Sequence, residues 1–357
     1  MDNKTSKSDW SLSGFSLTEL LGREEICVDL ASAASHIAGK TILITGGAGF
    51  IGSELAKQIA LLMPKKLILL DQAETPLHEL SLALDEDHPE IEKQFLLRNI
   101  TNREDVFDLF NKEQVDIVFH AAAYKHVPLI EQNPEQGFAV NVLGTKNVLD
   151  AAIDAHVSQF FLISTDKAVC PSSVMGATKK MAEDLCLANN ITSENTQISV
   201  IRFGNIIGSS GSVFPLFARQ IKNSSALTIT DQNMQRFFMT ATEAVKLVLD
   251  ATVMATGGEV FVFDMGAPIS ILAIAKKMLQ QSQKDLAIKI IGQRKGEKLS
   301  ENLTEGEQLS QTRNTHISFF IPEKDNFENF MFLDKHDELC EVNKLKEAFE
   351  ERLKSLV

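Results

Sequence analysis

The chain of 357 residues contains only four cysteines, one tyrosine and one tryptophan. The cysteines are scattered without a CxxC pair, which predicts free thiols in a reducing compartment and no metal centre. No apolar run approaches the roughly 20 residues of a membrane-spanning helix, and the polar N-terminus lacks the apolar segment of a signal peptide. These absences predict a cytoplasmic protein without a transmembrane segment.

Positive charge is also in short supply, because 35 basic residues face 48 acidic ones and leave a formal net charge of -13. Nucleic acids and anionic membranes repel such a protein, so neither is an expected partner. The chain is 44% hydrophobic and 23% charged, which is typical of a globular protein. Its length allows one large domain or two.

A glycine motif follows the first apolar strand, predicted at Thr41–Thr45, and precedes a helix predicted at Ser53–Leu62. Its glycines stand at 46, 49 and 52. In a dinucleotide-binding fold the first glycine permits a tight turn, the second lets the backbone approach a pyrophosphate, and the third lets helix and strand pack closely. The sequence therefore predicts a dinucleotide site, with Phe50 and Ile51 beside the cofactor.

The second predicted strand, Leu67–Leu70, ends at Asp71, close to the position expected for an acid that binds the adenosine ribose. A carboxylate there would repel a 2′-phosphate, and no arginine follows Asp71, so NAD is favoured over NADP. The alternative for Asp71 is an ordinary turn residue at a strand end.

Four further strands are predicted, with helices between them, which indicates a doubly wound parallel sheet of the Rossmann type. Asn99 and Ile100 follow the third strand, where an adenine could lie. Ala121, Ala122 and Ala123 follow the fourth and leave room for a cofactor, although tight helix–strand packing would explain them equally well. The strands are predicted at 94–97, 115–120, 160–164 and 198–203, and a long helix at 134–155.

Proton-transfer groups are concentrated after the fifth strand, in the stretch Ser164-Thr165-Asp166-Lys167, and Lys179 follows in the next predicted helix. The carboxyl ends of parallel strands are where ligands bind in such a sheet. A solvated turn with a helix cap and a surface lysine is the alternative.

Beyond Asn205 the pattern changes to a glycine/serine loop and short elements, which predicts a smaller substrate-binding domain. Arg236, Arg294 and Lys298 could together hold a diphosphate, although each alone could be a solvated surface charge. The predicted division is an arm at 1–37, a nucleotide-binding domain at 38–204 with a return near 237–267, and a mainly substrate-binding domain at 205–357.

Several motifs occur in an order that resembles the extended short-chain dehydrogenase/reductases, and more narrowly the UDP-N-acetylglucosamine 4,6-dehydratases of bacterial glycan biosynthesis. The resemblance covers residues 22 to about 300. Many relatives carry membrane helices ahead of the catalytic domain, and this chain is expected to lack them. The motifs are TGGAGFIGSE, HAAAYKHVPLIEQNP, NVLGTKNV, STDKAVCPSSVMGATK, IRFGNIIGSSGSVFPLF, RFFMTATEAV, VFDMGAP and GQRKGEKLSE.

The chain departs from the wider superfamily at Met175, where a catalytic tyrosine normally stands four residues before the lysine. A branch of the dehydratases shares this methionine, and resembling it implies a reaction that retains the configuration at C5. The only tyrosine, Tyr124, lies far upstream. Cys170 is a second departure, at a position where asparagine is expected.

The resemblance also implies roles. Asp166 would be the acid for the sugar C6 hydroxyl, Lys167 the base at C5, Thr165 a hydrogen-bond partner of O4, and Lys179 a contact to the nicotinamide ribose. The acceptor of the O4 proton is left open, with Thr165 relaying to water and Asp166 itself as the candidates. The implied cofactor contacts include Asn141. Those implied for a UDP-sugar are Lys125, His126, Asn205, Arg236, Arg294 and Glu297.

Three other functions compete with this one: a C5-inverting dehydratase, a UDP-sugar 4-epimerase and a catalytically silent NAD-sensing module. An epimerase needs no acid at C6, so the Asp166-Lys167 pair favours a dehydratase. The missing tyrosine is the one feature that favours the silent module. The N-terminal arm and the helices after the fourth strand indicate a homo-oligomer.

Overall fold

A computed structural model describes residues 15–327, 330 and 338–356. The α-helices in this part of the chain are α1 (Leu17–Leu21), α2 (Ala31–Ile37), α3 (Phe50–Ala60), α4 (Glu74–Asp87), α5 (Arg103–Lys112), α6 (Val127–Gln132), α7 (Pro134–Phe138), α8 (Thr145–Asp154), α9 (Val174–Thr192), α10 (Val213–Lys222), α11 (Ala241–Met254), α12 (Ile271–Ser282) and α13 (Glu338–Ser355). None of them is both long and apolar enough to cross a membrane.

The strands of the same part are β1 (Thr41–Thr45), β2 (Lys66–Asp71), β3 (Glu92–Leu97), β4 (Ile117–His120), β5 (Gln159–Thr165), β6 (Gln197–Phe203), β7 (Asn205–Ile206), β8 (Leu227–Ile229), β9 (Gln235–Arg236), β10 (Phe238–Met239), β11 (Val260–Phe263), β12 (Ile269–Ser270), β13 (Ile288–Ile290), β14 (Ser310–Gln311) and β15 (Ile317–Phe320).

The central sheet has nine strands in the order β14-β15-β11-β6-β5-β4-β1-β2-β3. From β3 to β11 all neighbours pair in parallel, so the predicted doubly wound Rossmann-type sheet is confirmed. The strand order reverses between β1 and β4. In this type of sheet the crevice at such a reversal is where a ligand binds, outside the carboxyl ends of the strands.

Both faces of the sheet are covered, which explains why its strands read as continuous apolar runs. Side chains of a strand alternate between the two faces, so Leu43 joins the hydrophobic core on one side while Ile42 and Ile44 join the core on the other. A third core lies among α1, α10 and α12, around Phe214 and Phe217. This third core supports the short strands that flank the cavity described below.

Residues 15–37 of the predicted arm pack on the body of the same chain. Leu20 is fully buried in the third core, and the Arg23 guanidinium forms an ion pair of 2.5 Å with Glu243 at the start of α11. Glu243 also accepts a hydrogen bond from the backbone of Ile26 and closes the capping box with Thr240. Residues 1–14 of the predicted arm lie outside the described residues.

Three expectations from the sequence need correction. The sheet is not wholly parallel, because β15 pairs antiparallel with β11, and β14 with β15. Helix α3 begins at Phe50 rather than Ser53, since Gly49 is extended and serves as its N-cap. The long helix after β4 contains a π-helical segment at Ala139–Gly144 between α7 and α8.

Candidate active site

The glycine loop after β1 closes on itself so tightly that side chains are excluded. Gly46 has φ +65°, and a Cβ there would lie 2.7 Å from the Cα of Ala122. A Cβ on Gly52 would lie 2.0 Å from the carbonyl oxygen of Gly46. The loop therefore packs against the segment after β4 and presents the N-terminus of α3 to the crevice, where a phosphate would meet free N–H groups.

Two adjoining cavities open at this edge of the sheet, with volumes of about 620 and 210 Å³. The smaller one collects the residues predicted to surround the adenosine half of a dinucleotide, namely Asp71, Asn99, Ile100, Ala121, Ala122 and Ala123. The larger one collects the rest of the glycine cradle together with Thr165, Lys167, Met175, Lys179, Lys125, His126, Asn205, Arg236, Arg294 and Glu297. Residues predicted from distant motifs thus meet in one crevice.

Two predicted site residues lie behind the cavity walls. Asn141 is fully buried, and its amide is bonded to the backbone N–H and C=O of Tyr124 and to the Thr178 hydroxyl. The π-helical segment turns Asn141 towards these partners, so it fixes the segment after β4 and does not line either cavity. Asp166 also has no exposed surface.

Asp71 uses its carboxylate to hold the glycine loop: Oδ2 accepts from the Ala48 N–H at 3.0 Å and Oδ1 from the Ala73 N–H. No arginine directly follows Asp71 in the sequence, yet Arg98 lines the same small cavity from the end of β3. Its guanidinium donates to Asp108 at 3.2 Å and to the Asp105 carbonyl. The positive charge next to Asp71 is thus partly neutralised.

Thr165, Asp166 and Lys167 form a compact hydrogen-bonded group at the end of β5. Asp166 Oδ1 accepts from the Thr165 hydroxyl at 2.8 Å and from Lys167 Nζ at 2.9 Å, and Lys167 Nζ also donates to Asn205 Oδ1 at 3.1 Å. The Lys167 side chain is 24% exposed, towards the cavity. Within the pair, Asp166 is therefore shielded from solvent, whereas Lys167 is partly exposed to the cavity.

Lys179 is buried beneath this group, and its Nζ donates to the Ile163 carbonyl at 2.9 Å. Burial lowers the pKa of Lys179 to about 8, although the nearby Glu183 carboxylate acts in the opposite direction. Met175 is 2% exposed, one turn before Lys179 on α9. The place of the superfamily's tyrosine therefore holds a thioether that cannot transfer a proton.

Lysine and histidine side chains from the segment after β4 face the same cavity. Desolvation and then the charge of Lys167 lower the pKa of Lys125, and desolvation and then Lys125 lower that of His126. His126 packs against Gly211, where an added Cβ would lie 2.5 Å from the imidazole ring. These neighbours make a cavity with excess positive charge in an acidic protein, which suits an anionic ligand.

The basic loop at 292–298 is anchored to the site from both sides. Arg236 is 7% exposed and donates to the carbonyl oxygens of Lys298 and Leu299 at 2.8 and 3.0 Å. Lys298 in turn donates to the Val169 carbonyl at 2.8 Å. Arg236 and Lys298 are therefore partly committed to backbone oxygens, and Arg294 and Glu297 present the freer side chains of the loop.

Cys170 occupies a left-handed backbone conformation, with φ +39°. Asparagine is several-fold enriched there among non-glycine residues, which gives a physical reason for the asparagine expected at this position. The Cys170 N–H donates to Glu305 at 2.5 Å and the residue does not line either cavity. The departure at Cys170 thus concerns the backbone of the turn.

Sequence reasoning missed Glu301, which lines the larger cavity and is 6% exposed. It follows Glu297 by four residues, at the end of the GQRKGEKLSE motif, and no recognisable pattern sets it apart. It also missed the serines at 172, 173, 209, 210 and 212 on the cavity wall.

A family model for polysaccharide biosynthesis proteins matches residues 42–322. The chain belongs to this family. The family expected from the motifs is thereby confirmed. Among curated relatives, the capsular polysaccharide biosynthesis protein CapD of Staphylococcus aureus is 43% identical over 289 residues, covering 80% of this chain and 48% of CapD. A UDP-glucose 4-epimerase of Rickettsia canadensis is 37% identical, covering 79% of this chain and 83% of the epimerase.

Solved structures of similar fold agree with this membership. Pen from Bacillus thuringiensis superposes with a TM-score of 0.75 at 34% identity, covering 80% of this chain and 89% of Pen. DesIV, a dTDP-glucose 4,6-dehydratase of Streptomyces venezuelae solved with NAD and TYD bound, has a TM-score of 0.67 at 21% identity, covering 74% and 88%. The latter likeness concerns the fold alone. The chain spans about half the length of CapD and of the Bacillus subtilis relative EpsC.

Proposed function

We propose that this protein is an NAD-dependent 4,6-dehydratase that converts UDP-N-acetylglucosamine to the UDP-2-acetamido-2,6-dideoxy-4-keto-hexose with xylo configuration, retaining C5, for bacterial surface-glycan biosynthesis. The observation that carries the proposal is the hydrogen-bonded group of Thr165, Asp166 and Lys167, in which Thr165 and Lys167 line the cavity next to the glycine cradle and Asp166 lies directly behind them. The predicted domain division, cytoplasmic location and homo-oligomer accompany this proposal as predictions.

The cradle suits NAD because it offers backbone where a side chain would obstruct a pyrophosphate. The space at Gly46 and Gly52 is closed to any Cβ, and the Asp71 carboxylate lies in the adjoining cavity for a ribose hydroxyl. NAD is also present in the solved DesIV structure, a fold neighbour. When bound, NAD⁺ supplies a hydride acceptor for the sugar C4 and a hydride donor for C6.

The chain's own residues would then move protons. Asp166 protonates the departing C6 hydroxyl, Lys167 removes and returns the C5 proton, Thr165 binds O4, and Lys179 holds the nicotinamide ribose. These roles need the shared proton on Asp166 and a neutral Lys167. The 2.9 Å contact between Lys167 Nζ and Asp166 Oδ1 gives this proton a direct path between the two groups.

Substrate recognition would rest on the positive wall of the larger cavity. Arg294 and Arg236 face the diphosphate, Glu297 the uridine ribose, and Lys125, His126 and Asn205 the sugar. Arginine binds phosphate oxygens bidentately, which suits a diphosphate.

A second candidate is a UDP-sugar 4-epimerase, which one observation favours: the Rickettsia canadensis relative carries that name. Both reactions begin with oxidation at C4. An epimerase returns the hydride to C4, whereas a dehydratase needs an acid at the C6 hydroxyl. Asp166 could supply such an acid, and for this reason we favour the dehydratase over the epimerase.

Proton NMR of the purified protein with UDP-N-acetylglucosamine in deuterated buffer tests the function, first without and then with added NAD. We expect a new C6 methyl signal, deuterium at C5 and retained configuration. A change of configuration at C4 without a methyl signal would establish the epimerase instead. A C5 coupling constant that indicates inversion would contradict retention of the C5 configuration. No turnover would reject the proposed substrate or favour the catalytically silent NAD-sensing module.

We expect Gly52→Ala to weaken NAD binding by about 100-fold, equivalent to roughly 3 kcal/mol. The added methyl would lie 2.0 Å from the Gly46 carbonyl oxygen, so the loop must open to accept it. The measurement is isothermal titration of NAD into the NAD-stripped protein. Ser53→Ala, at the next position of α3, is the control and should bind like the wild type. Equal affinity in the Gly52 variant would mean that the cradle is not the cofactor site.

A further inference from the structure

The Glu301 carboxylate is a buried acid that the roles assigned above leave unused. It lies on the wall of the larger cavity, where its Oε2 is 3.5 Å from Lys298 Nζ and forms no hydrogen bond within the described residues. The ion pair with Lys298 is long and no hydrogen bond accompanies it, so the cost of burying this oxygen is only partly offset. A group kept in this condition inside a reaction cavity is suited to accept a proton.

Glu301 is held rigidly, although it belongs to a loop. The two contacts from Arg236 to the carbonyl oxygens of Lys298 and Leu299 fix the backbone just before it, and the Lys298 ammonium reaches the Val169 carbonyl on the other side. The carboxyl group is therefore positioned relative to the end of β5.

One oxygen of the Asp166 carboxylate likewise lacks a hydrogen-bond partner among the described residues. Its Oδ1 is occupied by the Thr165 hydroxyl and Lys167 Nζ, while its Oδ2 is buried and has no hydrogen-bond partner in the described part of the chain. The Thr165 hydroxyl donates towards Asp166, which is the direction in which a proton taken from the sugar O4 would travel. The cluster of Thr165, Asp166 and Lys167 can thus receive a proton through the Thr165 hydroxyl, and Asp166 Oδ2 is free to bind one.

The charges around Glu301 are Lys167 and Asp166 from the end of β5, Lys298 from its own loop and Arg236 from β9. Burial is the largest influence and raises the pKa of Glu301, and Asp166 adds to it, while Lys167, Lys298 and Arg236 act against it. The net result is a raised pKa. A carboxylate with a pKa nearer to neutrality is a better proton acceptor than an ordinary glutamate.

Three other groups on the cavity wall suit this task less well. Met175 has no proton to exchange, and Lys179 is committed to the Ile163 carbonyl. Tyr124 is 37% exposed and accepts from the Gln72 side chain at 3.3 Å.

We propose that Glu301 stores the proton that leaves the sugar O4 when C4 is oxidised, and so takes the place of the tyrosine that Met175 replaces. The inference rests on the proposed dehydratase function. The C4–H bond breaks with its electron pair leaving as hydride to bound NAD⁺, and the O–H pair becomes the second bond of the ketone. The O4 proton enters at Thr165 and Asp166 Oδ1, and one proton leaves the cluster for Glu301.

The Asp166–Lys167 pair therefore holds one proton before and after this step, as the later chemistry requires. Asp166 then protonates the C6 hydroxyl, which departs as water, while Lys167 takes the C5 proton and afterwards returns it. Glu301 finally gives its proton to Asp166 and restores the starting state. With the hydride delivered to C6, each proton taken from the sugar is thus matched by one returned to it or lost in the water.

The test uses a 6-deoxy analogue of UDP-N-acetylglucosamine, which has no C6 hydroxyl to lose as water. Only oxidation at C4 can then occur, and it is followed as NADH absorbance in the NAD-loaded protein. We expect Glu301→Gln to slow NADH formation by about 100-fold at saturating analogue. In the wild type the rate should fall as the pH drops through the raised pKa of Glu301, and the variant should lack this inflection. Glu305→Gln, an exposed and ionised residue of the same segment, is the control.

Two readouts separate proton storage from a structural role. A pH-indicator dye in weak buffer should show that Glu301→Gln releases one proton to the solution for each NADH formed. The wild type should keep this proton on the protein and release none. Infrared titration of the protein without substrate should show a protonated carboxyl band that disappears on raising the pH and is missing in the variant. Glu301→Asp keeps a carboxyl group, so it should show both the retained proton and the infrared band. It replaces Glu301→Gln as the test variant if the glutamine variant does not fold.

Unchanged NADH formation and an unchanged pH profile in Glu301→Gln would overturn the proposal, and so would a raised KM at an unchanged saturating rate. Turnover of UDP-N-acetylglucosamine by the wild type separates this failure from failure of the proposed function. If the wild type oxidises neither compound, the dehydratase proposal falls and this inference falls with it.

Discussion

Asp166→Asn should leave the fold intact and lower formation of the C6 methyl product by about 1000-fold, within the range that a positioned acid contributes. The amide keeps the shape of the side chain and can still accept from Thr165 and Lys167, but it cannot deliver a proton to the C6 hydroxyl. Product formation is followed by proton NMR, with circular dichroism to confirm folding.

Asp264→Asn is the matched control. Asp264 follows β11 at the same edge of the sheet, but it is exposed, whereas Asp166 is fully buried next to the larger cavity. It should retain the wild-type rate to within about twofold, as expected for a surface substitution. A wild-type rate in Asp166→Asn would show that the acid at C6 is a different group.

Arg202→Met should lower the free energy of unfolding by about 3–5 kcal/mol, because it leaves a buried carboxylate without its partner. Arg202 in β6 and Glu183 in α9 are both buried and form two hydrogen bonds of 2.9 and 2.6 Å. Glu183 Oε1 also accepts from the Ser164 hydroxyl, directly before the catalytic stretch. Urea-induced unfolding provides the measurement.

The controls distinguish the unpaired charge from the loss of bulk. Replacing both partners, as Arg202→Met with Glu183→Met, should recover most of the loss, since apolar substitutes for a buried pair are often tolerated. Lys112→Met, in the exposed pair with Asp108, should cost no more than about 1 kcal/mol. Equal losses in the single and double variants of the buried pair would contradict the argument.

The same pair predicts a pH dependence. Burial is the largest single influence and raises the pKa of Glu183, but Arg202, Lys180 and the Ser164 hydroxyl together outweigh it, and the net pKa is lowered. A carboxyl group with a lowered pKa in the folded state stabilises the fold above its unfolded pKa, and this contribution is lost as the pH falls through the folded value. The stability of the wild type should therefore decrease on acidification more steeply than that of the double variant.

Local patterns in the sequence were sufficient for the strands β1 to β6 and for the glycine loop. A parallel strand covered on both faces reads as an apolar run, and a turn that excludes every Cβ reads as glycine, so each feature is visible within a few residues. The same holds for the Thr165, Asp166 and Lys167 group, whose members are adjacent in the chain and which follows a buried strand. Asn141 was recognised as a residue of the site, but its position behind the cavity wall was not.

Features that depend on partners distant in the chain were decided by the tertiary structure. The antiparallel strands β14 and β15 are short; β15 pairs with β11 and β14 with β15, and these partners rather than the strands' own patterns fix their place in the sheet. Glu301 becomes a buried acid only because its loop is anchored by Arg236, which lies 65 residues earlier in the sequence. Burial and mutual charge set the chemistry of such a group, and neither can be read from its neighbours in the chain.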